Sequence, residues 1–102
     1  MHMARRYFRV RIASEGPLLA DQFGAAVTDV VRRYFGEVGL VRIEPRMIKF
    51  DAQRSEAVFA CRRDAASQFE AALALLSHVY DAGVAPIVVG ISGTIKGLRR
   101  KK

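Results

Sequence analysis

An α+β sandwich, one antiparallel sheet with two main helices on one of its faces, is the fold class that three features of the chain predict. Apolar and polar residues alternate near the N-terminus, two later stretches repeat apolar residues at three- and four-residue spacing, and extended segments separate and follow those stretches. The 102 residues fit one domain, read over 1–102 with a basic tail at 96–102. Apolar residues make up 51% of the chain, with six Phe and three Tyr, which is the composition of a packed core and not of a disordered tail.

Residues 7–13 alternate strictly, Phe8, Val10 and Ile12 on one side and Tyr7, Arg9 and Arg11 on the other, so a half-buried strand with a basic outer face is expected. Ser14-Glu15-Gly16-Pro17 ends it. Leu19, Phe23, Val27, Val30 and Tyr34 then predict a helix over about 18–35, with Gly36 as its stop. A turn at 36–39 leads into an extended segment over 40–50, bent where Pro45 cannot donate to a ladder. After the polar connection 51–55, residues 56–62 alternate, with Ala57, Phe59 and Cys61 facing one way, and the two segments read as a hairpin. Asp64 is placed to cap a second helix over about 65–81, striped by Phe69, Leu73, Leu76 and Tyr80 and widened by Ala72, Leu75 and Val79. Gly83 ends it, and 85–95 supplies the last strand. The order βαββαβ is that of a ferredoxin-like sandwich, which leaves one sheet face open.

That order serves phosphohydrolases, metabolite-sensing domains and RNA-recognition modules alike, so residue chemistry must choose. The chain has no Asn, which removes the catalytic amide an acylphosphatase-like enzyme would require. Its glycines match no phosphate-cradling motif. Asp21 and Asp29, like Asp64 and Glu70, are spaced as solvated helix charges and not as an acid and base pair. His78 reads as a surface or interface histidine on the second helix. One cysteine and two histidines cannot build a cysteine-paired zinc cluster, and Cys61 reads as an inert buried thiol. Neither a catalytic constellation nor a protein-held metal or cofactor is expected. No stretch approaches the ~18–20 apolar residues of a membrane span, and no signal-peptide segment precedes Arg5, so a cytoplasmic protein without membrane contact is expected.

Charge is the positive evidence. Seventeen basic residues against ten acidic give a formal charge of +7, with a pI near 10.3. Nine of the basic residues lie in the first eleven or the last seven positions, stretches without a single Asp or Glu. Arg5, Arg6, Arg9, Arg11, Lys96, Arg99, Arg100, Lys101 and Lys102 are therefore the candidate contacts to a polyanion, in one patch if the first and last strands are neighbours. Tyr7 is a candidate for stacking on a base, with cross-strand packing as the alternative. Residues 54–61 do not fit the aromatic RNA-recognition motif, which points to backbone binding in place of sequence reading.

Ser92-Gly93-Thr94-Ile95-Lys96-Gly97-Leu98-Arg99-Arg100-Lys101 resembles the Ser-Gly-Thr-Ile-Lys signature and basic continuation of the small archaeal/eukaryotic-type ribonuclease P protein subunits, the component 2 family. Arg6-Tyr7, Phe35-Gly36-Glu37-x-Gly39, residues 57–62 and Ala71-Ala72-Leu73 are similar to that family as well, so the likeness spans nearly the whole chain. The resemblance implies a non-catalytic subunit that binds the catalytic domain of ribonuclease P RNA and supports removal of the 5′ leader from precursor tRNA. It implies that RNA and magnesium perform the hydrolysis, and that a TIM-barrel subunit, component 3, joins this chain in a heterotetramer around a central pair. The apolar helix surface at Leu75 and Val79 is compatible with such an interface and equally with a monomer core. A ribosomal or other RNA-scaffold protein is the alternative, and a metabolite-binding regulatory domain a more distant one.

Overall fold

The computed structural model describes residues 4–99. Its elements are β1 (Arg5–Ser14), α1 (Ala20–Ile43), β2 (Arg46–Asp51), β3 (Glu56–Arg62), a 3-10 turn (Arg63–Ala65), α2 (Ala66–Leu75), β4 (His78–Val79), β5 (Ala82–Ser92) and α3 (Ile95–Arg99). The sheet order is β2-β3-β1-β5-β4, antiparallel throughout. This is the ferredoxin-like arrangement the sequence predicts, extended at one edge by the two-residue β4.

Alternation along β1 sends Phe8, Val10 and Ile12 into the layer beneath α1 and α2, where they meet Phe23, Val27 and Val31 of α1 and Phe69 and Leu73 of α2. Phe59 of β3 bridges the two helices, its ring 5.9 Å from Phe23 and 5.7 Å from Phe69, while Phe8 meets Phe69 edge-on at 5.2 Å. Four interlocked aromatic rings fix the helices against the sheet, and each of their three ring pairs contributes about 0.5–1.5 kcal/mol beyond the area it buries.

Several element boundaries differ from expectation. Gly36, at φ 73° and ψ −179°, breaks the helix without ending it, because Leu40 and fully buried Ile43 restore a helical face beyond the break. Residues 40–43 are thus helical, not extended, and Pro45 precedes β2 instead of bending it. Leu19 and Tyr34 lie at the surface, and Val31 takes the place in the core that spacing gave to Tyr34.

The second helix is shorter than expected. Asp64 makes no capping hydrogen bond and instead pairs with Arg62 at 3.7 Å. Leu76 leaves helical geometry, and His78–Val79 pairs with Ala82 and Gly83 across a tight turn in which Tyr80 is left-handed at φ 53°. The three-residue spacing of Leu73, Leu76 and Val79 fits a helix, yet Val79 reaches the same core from a strand. His78 and Gly83 consequently belong to strands. The last strand begins three residues early and ends at Ser92, and Ile95–Arg99, at the start of the basic tail, form α3 with Leu98 buried.

Candidate nucleic-acid interface

The side of the sheet away from α1 and α2 is built by strand register. Arg5 stands opposite Arg62; Tyr7 opposite Ala60 and Ser92; Arg9 opposite Val58 and Gly90; Arg11 opposite Glu56 and Ile87. On β2, Arg46 joins the Ala60 row, Lys49 the Val58 row and Asp51 the Glu56 row. Opposed residues in a ladder share a face, so four rows form a surface that is basic at one end and through the middle and acidic at the other. A register shift between Met47 and Lys49 turns Ile48 outward.

This face gathers Arg5, Tyr7, Arg9 and Arg11, as expected. Arg6 has the opposite parity and lies toward the helix side, where a Cβ on Gly93 would come 3.6 Å from its Nη1. Lys96 and Arg99 are exposed on α3. Arg100, Lys101 and Lys102 lie outside the described residues. Arg46, Lys49 and Arg62 were missed by the sequence reading, because β2 and β3 carry acids beside their bases and so show no charge run. Parity along β3 was the signal that would have placed Arg62 here, whereas Arg46 and Lys49 share this face only through the register shift between Met47 and Lys49.

Acids distant in sequence offset part of the charge. Glu44, a left-handed residue at the end of α1, accepts a hydrogen bond from Arg5 and lies 3.8 Å from Arg46. Its carboxyl is held below the ordinary value chiefly by the Arg5 hydrogen bond, which desolvation opposes and the charges of Arg5, Arg46 and Arg62 assist. Arg11 pairs with Glu56 at 3.3 Å. Arg5 and Arg11 are therefore partly neutralised, whereas Arg9, Lys49 and Arg99 form no ion pair among the described residues.

Cys61 is buried on the core side, where desolvation pushes its thiol up to about 12 against the pull of Arg5 and Arg6. Among the described residues no three His, Cys, Asp or Glu side chains gather to hold a metal ion, and no helix is long and apolar enough to cross a membrane. Ser77 Oγ and His78 Nδ1 are 3.1 Å apart at the surface. Of the two residues considered for a partner interface, Val79 is buried in this chain's own core, because β4 folds it inward, and only Leu75 is free. Leu75 borders a groove of about 410 Å³ with Tyr34 and Tyr80.

Fold and face define a small α+β protein whose open sheet face is cationic at one end and through the middle. The chain belongs to the Rpp14/Pop5 family, whose family model matches residues 6–102. It is similar to ribonuclease P protein component 2 of Archaeoglobus fulgidus, 32% identical over 97 residues that cover 95% of this chain and 86% of the relative. The Pyrococcus furiosus protein of the same name is 31% identical over 97 residues, covering 95% of this chain and 81% of that one. A chain in the cryo-EM structure of yeast ribonuclease MRP shares the fold, with a TM-score of 0.74 at 12% identity over 92% of this chain and 77% of its own.

Proposed function

We propose that this chain is a non-catalytic protein subunit of ribonuclease P, which binds the catalytic domain of the ribonuclease P RNA in the cytoplasm and supports removal of the 5′ leader from precursor tRNA. The observation that carries this is the family match over residues 6–102, to which the cationic rows on β1, β2 and β3 add a physical means. Fixed guanidinium and ammonium groups replace diffuse counterions along the RNA backbone and lower the magnesium needed to hold its active geometry. The hydrolysis belongs to the RNA and its magnesium ions. The protein partner is the TIM-barrel subunit, component 3, in a heterotetramer built around a pair of copies of this chain.

Reconstitution tests the proposal. Ribonuclease P RNA and the TIM-barrel subunit are assayed on precursor tRNA with and without this chain across a magnesium titration. Addition of the chain is expected to raise cleavage and to shift the magnesium midpoint down. Binding of the RNA with no gain in cleavage would instead identify a general RNA scaffold.

A further inference from the structure

The open face is not bare. α3 lies against β5 and β1, and between α3 and the β2–β3 hairpin opens a cleft of about 470 Å³, within the ~300–1,000 Å³ span of pockets for small organic groups. Its lining has two characters. Ile48, Val58 and Ile95 supply apolar surface, and Arg9, Lys49 and Arg99 supply positive charge.

Both halves are unsatisfied within the chain. Ile48 is 47% exposed and Ile95 38% exposed, although each is a large aliphatic side chain beside charged ones. The two carboxylates in the lining are already engaged: Glu56 pairs with Arg11 at 3.3 Å, and Asp51 accepts the backbone N–H of Arg54 at 3.1 Å. Arg9 carries a buried Nε with no hydrogen-bond partner among the described residues. A buried guanidinium nitrogen without an acceptor is costly, so an incoming anionic oxygen would be favoured here more than at an exposed arginine.

A bare phosphate would answer the cations and leave the isoleucines wet, while an apolar peptide would do the reverse. A nucleotide carries a flat, largely apolar base and a phosphodiester a few ångströms away. We propose that this cleft receives one unstacked nucleotide of a bound RNA, its base against Ile48 and Ile95 and its phosphate toward Arg9, Lys49 and Arg99. The site deepens the ribonuclease P reading and rests on it. A splayed nucleotide from a loop or bulge fits, because a base inside a helix cannot leave its stack without the unstacking cost. The aliphatic walls make no directional hydrogen bonds, so the cleft selects an unpaired base over a paired one without selecting its identity.

The test uses the full chain, labelled with nitrogen-15, and two probes: hexauridine and an abasic hexamer of the same backbone charge. Saturable amide shifts at 48–49, 58 and 95–99 are expected with hexauridine, together with a dissociation constant at least about fivefold lower than that of the abasic hexamer, in line with base-contact energies. Ile48→Ala should erase most of that difference without moving the abasic value. Ile95→Ala provides the same readout should the first variant fold poorly. Equal affinity for the two probes, shifts that avoid the cleft, or no binding of hexauridine overturns the nucleotide site. Cleavage in the reconstituted enzyme is measured separately, so loss of the cleft proposal with an intact gain in cleavage leaves the subunit function standing.

Discussion

The backbone N–H of Gly97 donates to the Thr94 hydroxyl at 2.9 Å, which makes Thr94 the cap of α3. Thr94 in turn donates its own N–H to Ser92 Oγ at 3.3 Å, and any side chain at Gly97 would collide with the Ser92 hydroxyl. The Ser-Gly-Thr-Ile-Lys-Gly string is therefore a device that ends β5, turns the chain and lays a short helix on the sheet. Ile95 and Leu98 are the side chains it delivers.

Thr94→Ala should accelerate amide hydrogen exchange at 95–99 by about fivefold, from a cap contribution of ~1 kcal/mol, while core amides in β1 and α2 keep their protection. Gly97→Val should expose the same segment further by denying α3 its seat. Unchanged protection at 95–99 in both variants would show that the turn chemistry does not hold the helix.

Leu98 is 2% exposed, yet it sits apart from the main core on the opposite face of the sheet. Leu98→Ala should lower unfolding free energy by no more than about 1–2 kcal/mol, below the 2–5 usual for a buried leucine, because α3 can detach instead of leaving a cavity. Phe69→Ala, at the centre of the aromatic cluster, should cost about 3–5 kcal/mol. Urea titrations of both variants measure the contrast. Equal losses would mean that α3 and the core unfold as one unit.

RNA affinity should fall with salt at a logarithmic slope of roughly three to five if about five phosphates are contacted. Lys49→Gln and Arg99→Gln should each reduce that slope by about one, whereas Arg11→Gln should reduce it less, since Glu56 already neutralises part of Arg11. Filter binding at several salt concentrations gives the slopes. A larger effect from Arg11 than from Lys49 would place the RNA at the acidic end of the sheet.

Cys61 should resist alkylation in the native chain at neutral pH and react only upon unfolding, because burial keeps the thiol protonated. Its folded value, about 12, stands above the ordinary 9.0, so the unfolded chain gives up the proton first. The stabilising effect is complete below pH 9 and is lost as pH rises from there toward 12. Thermal melts over pH 8–11 should show a shallower alkaline decline for Cys61→Ala than for the parent, and parallel declines would remove the thiol as a cause.

Much of the candidate surface was legible from residue order. Strict alternation in β1 fixed which arginines leave the core, and alternation in β3 placed Phe59 and Cys61 inside. The missing half came from partners far along the chain. Glu44 and Glu56 neutralise arginines that stand in an acid-free segment, and Arg46 and Lys49 join the surface through pairing with β3.

By itself the sequence determined the α+β class, the layer of helices on one sheet face, the basic character of β1 and the family likeness, because two- and three-to-four-residue periodicities and charge runs are local properties. Only the tertiary structure decided that Gly36 kinks a helix that continues, that Val79 reaches the core from a strand, and that the C-terminal segment folds back as α3 over a cleft. Each of those outcomes depends on what a side chain finds across the fold: Ile43 and Val79 bury themselves against β-sheet and helix neighbours, and Leu98 meets the open face of a sheet that includes β1, from the other end of the chain. Local spacing cannot distinguish a helix turn from a strand when both deliver the same apolar group to the same core.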